Sequence, residues 1–246
     1  GFTLYNWTTV NNSGDEYVGW SFRKQPKFFD VVTYTGDGND GRAISHSLGS
    51  TPGMIIVARR DSTNYWRVWH RSQTGKYANL YSTAAFADDS SSSGVFNDYS
   101  GNSSTFTAGI NINASSATYV AYLFAHNNND GGFGPDSEDI IKCASFTGNS
   151  SADVTVDVGF EPQFLLTFRT GGSNWNVVDN LRGIATGGVD PTIFADTGGA
   201  ENTAANRIDL TPTGFIQKSG QTGNETVVYM AIRRGGMQTP TAGTDV

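Results

Sequence analysis

Two stretches of this chain align with each other block by block and in the same order, and that repeat constrains the fold more than any other feature. The first stretch reads Phe29-Asp-Val-Val-Thr-Tyr-Thr-Gly36, Ile44-Ser-His-Ser-Leu-Gly-Ser-Thr-Pro52, Met54-Ile-Ile-Val-Ala-Arg59 and Tyr65-Trp-Arg-Val-Trp69. The second reads Ile141-Lys-Cys-Ala-Ser-Phe-Thr-Gly148, Val154-Thr-Val-Asp-Val-Gly-Phe-Glu-Pro162, Phe164-Leu-Leu-Thr-Phe-Arg169 and Asn174-Trp-Asn-Val-Val178. The offset drifts only from 112 at Gly36/Gly148 to 110 at Pro52/Pro162 and 109 at Trp66/Trp175. Each copy ends in a block of its own, Tyr119-Val-Ala-Tyr-Leu-Phe124 and Tyr229-Met-Ala-Ile-Arg-Arg234, again 110 apart. Matched blocks in a fixed order mark a duplicated structural unit.

The repeat divides the chain into units 28–137 and 138–246, leaving residues 1–27 at the front. Those residues match only the tail of a unit: Tyr17-Val-Gly-Trp-Ser-Phe22 is a third version of the closing block, and Gly1-Phe2-Thr3 parallels Gly214-Phe215-Ile216. They read as the last strands of a preceding repeat plus a linker. Two strands cannot stand alone in water. Either the sequence is an excerpt of a longer array, the reading favoured here, or these strands complete a sheet of another unit or chain. Asn, Gly and Pro crowd the stretches after each closing block (Arg23-Lys-Gln-Pro-Lys27, residues 126–136, and Gly235 onward), which marks irregular links.

Short runs of β-branched and aromatic residues, broken by Gly, Asn, Asp and Ser, read as strands, and no run carries a helical apolar stripe. Asp61-Ser-Thr-Asn64 and Thr170-Gly-Gly-Ser173 read as hairpin connections. The fold class expected is all-β, as tandem antiparallel β-sandwich modules of jelly-roll or lectin-like type. Period-2 alternation then sorts the tryptophan strand. Trp66 and Val68, like Trp175 and Val177, share one face, taken as core. The opposite face is Tyr65, Arg67 and Trp69 in the first copy but Asn174, Asn176 and Val178 in the second. Tyr65, Arg67 and Trp69 are the candidate ligand-binding residues, an aromatic platform for a sugar ring or partner surface. The alternative, favoured because a Trp is more often packed than presented, is burial of that face against loops or the neighbouring module.

Other chemistry finds little footing. Sixteen Lys and Arg stand against 23 Asp and Glu, a net charge of −7, which argues against a nucleic-acid partner. No apolar run approaches the ~18 residues of a membrane span, and one cysteine, Cys143, rules out an internal disulfide framework. Glu is rare, and no strand carries two acids on alternating positions, as a glycan-cleaving pair would suggest, so no enzyme is expected. His46, His70 and His126 are scattered, and the second copy has Val156 and Asp179 in place of the first two. Asp37-Gly-Asn-Asp-Gly41 begins like a calcium loop, but Gly41 and Leu48 fall where ligands are needed, so it reads as a hairpin tip. No metal and no cofactor are expected.

The blocks Tyr17-Val-Gly-Trp-Ser-Phe22, Phe29 to Gly36, Ile44 to Pro52 and Met54-Ile-Ile-Val57 resemble repeats in large virion proteins of marine bacteriophages. Val158-Gly-Phe-Glu-Pro162, Asn174-Trp175 and Asp179-Asn-Leu-Arg-Gly183 of the second copy have the same look. Such proteins resemble tail-fibre or receptor-binding proteins with lectin-like β-sandwich repeats. The resemblance implies a non-enzymatic structural protein of a virion, a fibre or appendage that spaces or presents a host-binding surface. It implies other virion proteins as partners, a homo-oligomer, and a host surface glycan as ligand. A carbohydrate-binding module is the alternative function. The second copy departs at Val156 and Asn174, Asn176 and Val178, so a ligand role in the first copy need not extend to it.

Overall fold

The architecture comes from a computed structural model that describes residues 3, 12–15, 17–89, 94–134, 137–184 and 187–234. The first unit contributes β1 (Phe29–Thr35), β2 (Arg42–Ser45), β3 (Met54–Arg59), β4 (Arg67–His70), β5 (Lys76–Asn79), β6 (Ala87–Asp88), β7 (Thr105–Ala108) and β8 (Thr118–Phe124). A 3₁₀ turn at Ile110–Ile112 precedes β8. The second contributes β9 (Ile141–Thr147), β10 (Val154–Asp157), β11 (Pro162–Arg169), β12 (Asn176–Asp179), β13 (Ile193–Phe194), β14 (Ile208–Thr211), β15 (Gly214–Gln217) and β16 (Thr226–Arg233). The chain is all-β, and its ladders are antiparallel.

Each half builds one large and one small sheet. The large sheets run β1-β8-β3-β4-β5-β6 and β9-β16-β11-β12-β13; the small ones are β2-β7 and β10-β15-β14. Strand for strand the order recurs, with the closing strand between the first and third strands of its own copy both times. A smaller register confirms the correspondence: Leu80 donates its amide to the Trp66 carbonyl (2.9 Å), and Ala195 donates to the Trp175 carbonyl (3.0 Å).

Alternation along the large-sheet strands feeds two different cores. In the second copy Leu165, Val178, Tyr229 and Ala231 pack with Val156, Ile208 and Phe215 of the small sheet. The residues between them, Phe164, Leu166, Val177, Val228, Met230 and Ile232, join a second cluster that is continuous with the first copy. The large sheets therefore bury both faces, which is why Met54 to Val57 is apolar at every position instead of every second one. In the first copy Tyr34 and Tyr119 stack at 5.1 Å and reach Phe106 of the small sheet, so the same division holds there.

The copies make close contacts across their seam, beside an apolar cavity of about 740 Å³ lined by both. Gly53 lies so near β9 that a Cβ there would stand 2.6 Å from the Cys143 Cβ. Trp175 stacks on Phe168 at 4.1 Å and donates its indole N–H to the Asn79 carbonyl of the first copy (3.0 Å). His70 Nε2 donates to the Tyr229 carbonyl (3.1 Å). Residues after β8 do not hold the copies apart: the Asn127 amide donates to Ile141, and its side-chain oxygen accepts from the Ile140 and Ile141 amides.

Two expectations change. Residues 17–22 do not form the closing-block strand; they carry no ladder. A closing strand needs a first-type and a third-type neighbour, and in both copies that place is filled by β8 or β16. The arm is held by side chains instead. Trp20 Nε1 donates to Asp179 Oδ2 (3.0 Å), Phe22 meets Phe124 and Phe164 edge-on, and Lys24 pairs with buried Asp30 at 2.6 Å. Burial pushes the Asp30 carboxyl up, yet the Lys24 ammonium and the Ser47 and Val31 amides outweigh it and hold the pKa below the usual carboxylate range. The second change concerns Trp66, assigned to core with Trp175. Trp175 is buried, whereas Trp66 is 43% exposed, stacked on Tyr122 with its other face open. The proposed counterparts Gly1-Phe2 and the exit segment from Gly235 lie outside the described residues.

The duplicated tryptophans should answer truncation differently. Trp175→Ala empties the seam and is expected to cost about 3–5 kcal/mol, whereas Trp66→Ala costs under about 1 kcal/mol. Urea unfolding of the two variants measures the difference; equal losses would mean the seam does not carry the packing described.

Candidate functional site

Of the three residues singled out from the strand pattern, the structure brings two together and separates the third. Arg67 starts β4, and Tyr65 precedes it in the connection from β3. Trp69 lies on the same side of the strand but is fully buried, giving its indole N–H to the Tyr99 carbonyl (2.9 Å) and packing on that ring at 4.9 Å. It fills the first copy's own sandwich, so the binding role expected of it is corrected: Trp69 cannot offer a face to a ligand.

Tyr65 and Arg67 instead join two tyrosines that sequence spacing did not single out. The Tyr65 and Tyr81 rings stack at 5.1 Å with planes 1° apart. The Arg67 guanidinium sits 4.4 Å over Tyr65 and 5.0 Å from Tyr77, and its Nη1 donates to Asn79 Oδ1 (2.7 Å). Arg67 has no carboxylate within ion-pair distance among the described residues, so its charge is held by ring faces and an amide. Tyr65 is 48% and Tyr81 43% exposed. Burial first, then the Tyr65 phenol, push the Tyr81 hydroxyl above its ordinary pKa, so it keeps its proton near neutral pH.

The second copy replaces this group position by position. Asn174 stands at the place of Tyr65, Asn176 at that of Arg67, and Asp196, one residue past the Leu80/Ala195 pair, at that of Tyr81. There Asn174 Nδ2 donates to Asp196 Oδ2 (3.0 Å), and the Trp175 amide donates to Oδ1 (2.8 Å). A self-contained polar bridge occupies the position where the first copy shows an exposed aromatic pair beside a cation. The signal for Tyr81 was present in the sequence as an aromatic after β5, but only the ladder reveals that it faces Tyr65.

The other candidates resolve into structure. Asp37 takes the Asn39 amide, the Asn113 amide group and Arg42, and Asp40 takes the Ile110 amide, so the turn's acids are spent on protein donors. Among the described residues no three His, Cys, Asp or Glu side chains are grouped to hold a metal ion. His70 and His126, distant in sequence, both line the seam. His126 Nδ1 accepts from the Cys143 amide (3.3 Å), and burial, then the Arg71 charge, lower its pKa to about 4. Cys143 is buried, and burial raises its thiol well above the usual range.

A paired all-β sandwich is therefore the class of protein that the fold defines. A family model described as a domain of unknown function, DUF7483, matches residues 1–234, and the chain belongs to that family. No curated protein and no solved structure matches it.

The buried seam histidine gives the fold a direction of acid sensitivity. His70 Nδ1 accepts from the Ser72 amide (3.2 Å) while Nε2 donates to Tyr229, so the neutral ring is fully bonded. Burial, assisted by the Arg71 charge and opposed by the bond to Tyr229, lowers its pKa to about 4. An unfolded His titrates near 6.5, so on acidification the unfolded chain takes up the proton first. Stability is full above pH 6.5 and falls between pH 6.5 and 4, by about 2–3 kcal/mol from this residue at pH 4.5. Denaturant titrations at pH 7 and 4.5 should show that loss, and His70→Gln should remove that part of it; an unchanged pH slope in the variant would exclude His70 as its source.

Proposed function

We propose that this chain is a non-enzymatic structural protein of a phage virion, part of a tail fibre or similar appendage that spaces or presents a host-binding surface. The observation that carries the reading is the shared core: the large sheets of the two sandwiches pack on each other through one continuous cluster of buried residues. An appendage must transmit position without yielding, and burying both sheet faces supplies that stiffness. The net charge of −7, with only five lysines, keeps such blocks soluble at high local copy number. Other virion proteins are its neighbours in this reading, and a homo-oligomer its working state. Antibodies raised against the purified chain should label an appendage of intact particles by electron microscopy. Labelling confined to the lysed host would overturn the proposal.

The lectin-like alternative has one observation in its favour, the exposed Tyr65–Tyr81 stack with Arg67 beside it. Flat aromatic faces receive the apolar face of a sugar ring, and the neighbouring guanidinium supplies donors for its hydroxyls. Replacing the group by the second copy's residues, Tyr65→Asn, Arg67→Asn and Tyr81→Asp, is expected to reduce host-glycan binding by the full chain at least about tenfold, since it removes contacts together worth more than 1.4 kcal/mol. A glycan array reads the loss and circular dichroism checks the fold. Unchanged binding in a folded variant would end this reading.

A further inference from the structure

Away from the Tyr65–Tyr81 surface, four segments of the first copy converge on a polar pocket of about 370 Å³. Lys27 enters from the turn before β1, Ser50 and Thr51 from the connection between β2 and β3, Arg71 from the end of β4, and His126 and Asp130 from the stretch after β8.

The walls are fixed by bonds that do not involve the pocket. Lys27 has φ +60°, uncommon for a residue with a side chain, and is held there by its amide donating to Leu48 (2.6 Å) and its carbonyl accepting from Asn127 Nδ2 (2.9 Å). That conformation directs Nζ to the Asp130 carbonyl (2.7 Å), a neutral acceptor that leaves the ammonium charge uncompensated. Asp139 fixes the opposite wall by accepting from the Asn129, Asp130 and Gly131 amides.

Donors outnumber acceptors among the groups that face the pocket. The Arg71 guanidinium has no hydrogen-bonded or ion-paired partner among the described residues, and its charge acts on His70, His126 and Cys143 alike. Because His126 Nδ1 accepts from Cys143, the ring proton sits on Nε2, which meets no acceptor among the described residues. The Ser50 hydroxyl is buried without a partner. Asp130 is the one carboxylate lining the pocket, and its Oδ1 is occupied by the Asn128 amide. Two cations against one carboxylate is a local reversal of sign on a chain of net charge −7. The second copy lacks it: Asn180 stands for Arg71, and Glu161, standing for Thr51, is closed by Arg234 at 2.8 Å.

We propose that this pocket binds an oxyanion, a sulfate or carboxylate group, through Arg71, Lys27 and the His126 Nε2–H. The site does not rest on the glycan reading of Tyr65 and Tyr81 and can fail or stand separately from it. Isotope-labelled full-length chain titrated at pH 7 with sodium sulfate, against sodium chloride at matched ionic strength, tests it by NMR. The His126 and Arg71 side-chain signals should move saturably with sulfate, and Arg71→Gln should weaken the apparent affinity at least tenfold while the other amide signals keep their positions. Lys27→Gln gives a second, independent loss. Galacturonate and galactose form the remaining arms: saturation by galacturonate at lower concentration than sulfate assigns the carboxylate, the reverse assigns the sulfate. Equal response to chloride or to neutral galactose, or undiminished binding in both variants, overturns the proposal.

Discussion

Burial of both faces of each large sheet is the constraint on which the rest of the molecule depends. A sandwich with one solvated face alternates apolar and polar residues, and its outer face is free to vary. Here the outer face of each large sheet is the other sheet's cover, so consecutive residues of β3, β11 and β16 all meet protein. Close approach at Gly53, the Trp175 stack and the His70 bond to Tyr229 are the contacts made where the two twisted sheets meet.

The same constraint explains the arm. Trp20 and Phe22 have the parity that β8 gives to Tyr122 and Phe124, the residues turned toward the other copy. With the places beside the first and third strands already taken, the backbone cannot ladder, yet the side chains of that parity still have an apolar surface to meet. Trp20 spans to Asp179 and Arg182 of the second copy, whose ion pair at 2.7 Å is itself buried. A buried pair of this kind is worth little as an attraction alone; with the indole N–H and two backbone amides completing the carboxylate's bonds, it becomes a fixed anchor. The arm thus adds a tie across the seam, where Trp20 and Phe22 line the apolar cavity between the copies.

How much of this was legible in the residues depends on what period 2 can and cannot say. The repeat, the all-β class and the pairing of Trp66 with Val68 and Trp175 with Val177 on one face all follow from spacing. Which of two faces is covered, and by what, does not. Alternation placed Trp69 opposite Trp66 correctly, but only the small sheet and Tyr99 decide that Trp69 is inside and Trp66 half outside. Tyr81 escaped for a different reason. Its proximity to Tyr65 arises from β4 and β5 pairing across a turn, a two-dimensional relation that a linear pattern does not contain. Arg71, His126 and Lys27 lie further still from legibility, since three separate connections meet only after both sheets have formed.

Divergence between the copies then carries information that neither copy holds alone. Positions in the cores keep their apolar character, because each substitution there leaves a cavity or a clash. Rim positions answer to no such demand, and it is at the rims that the copies part. The second copy closes its rim on itself where Asn174 meets Asp196 and Glu161 meets Arg234, while Arg169 on Glu225 repeats the pairing of its counterpart Arg59 with Asp61. Arg67 and Arg71 of the first copy have no ion-paired carboxylate among the described residues. The copies thus part at Tyr65, Arg67 and Arg71 of the first, whose places in the second are taken by the uncharged Asn174, Asn176 and Asn180.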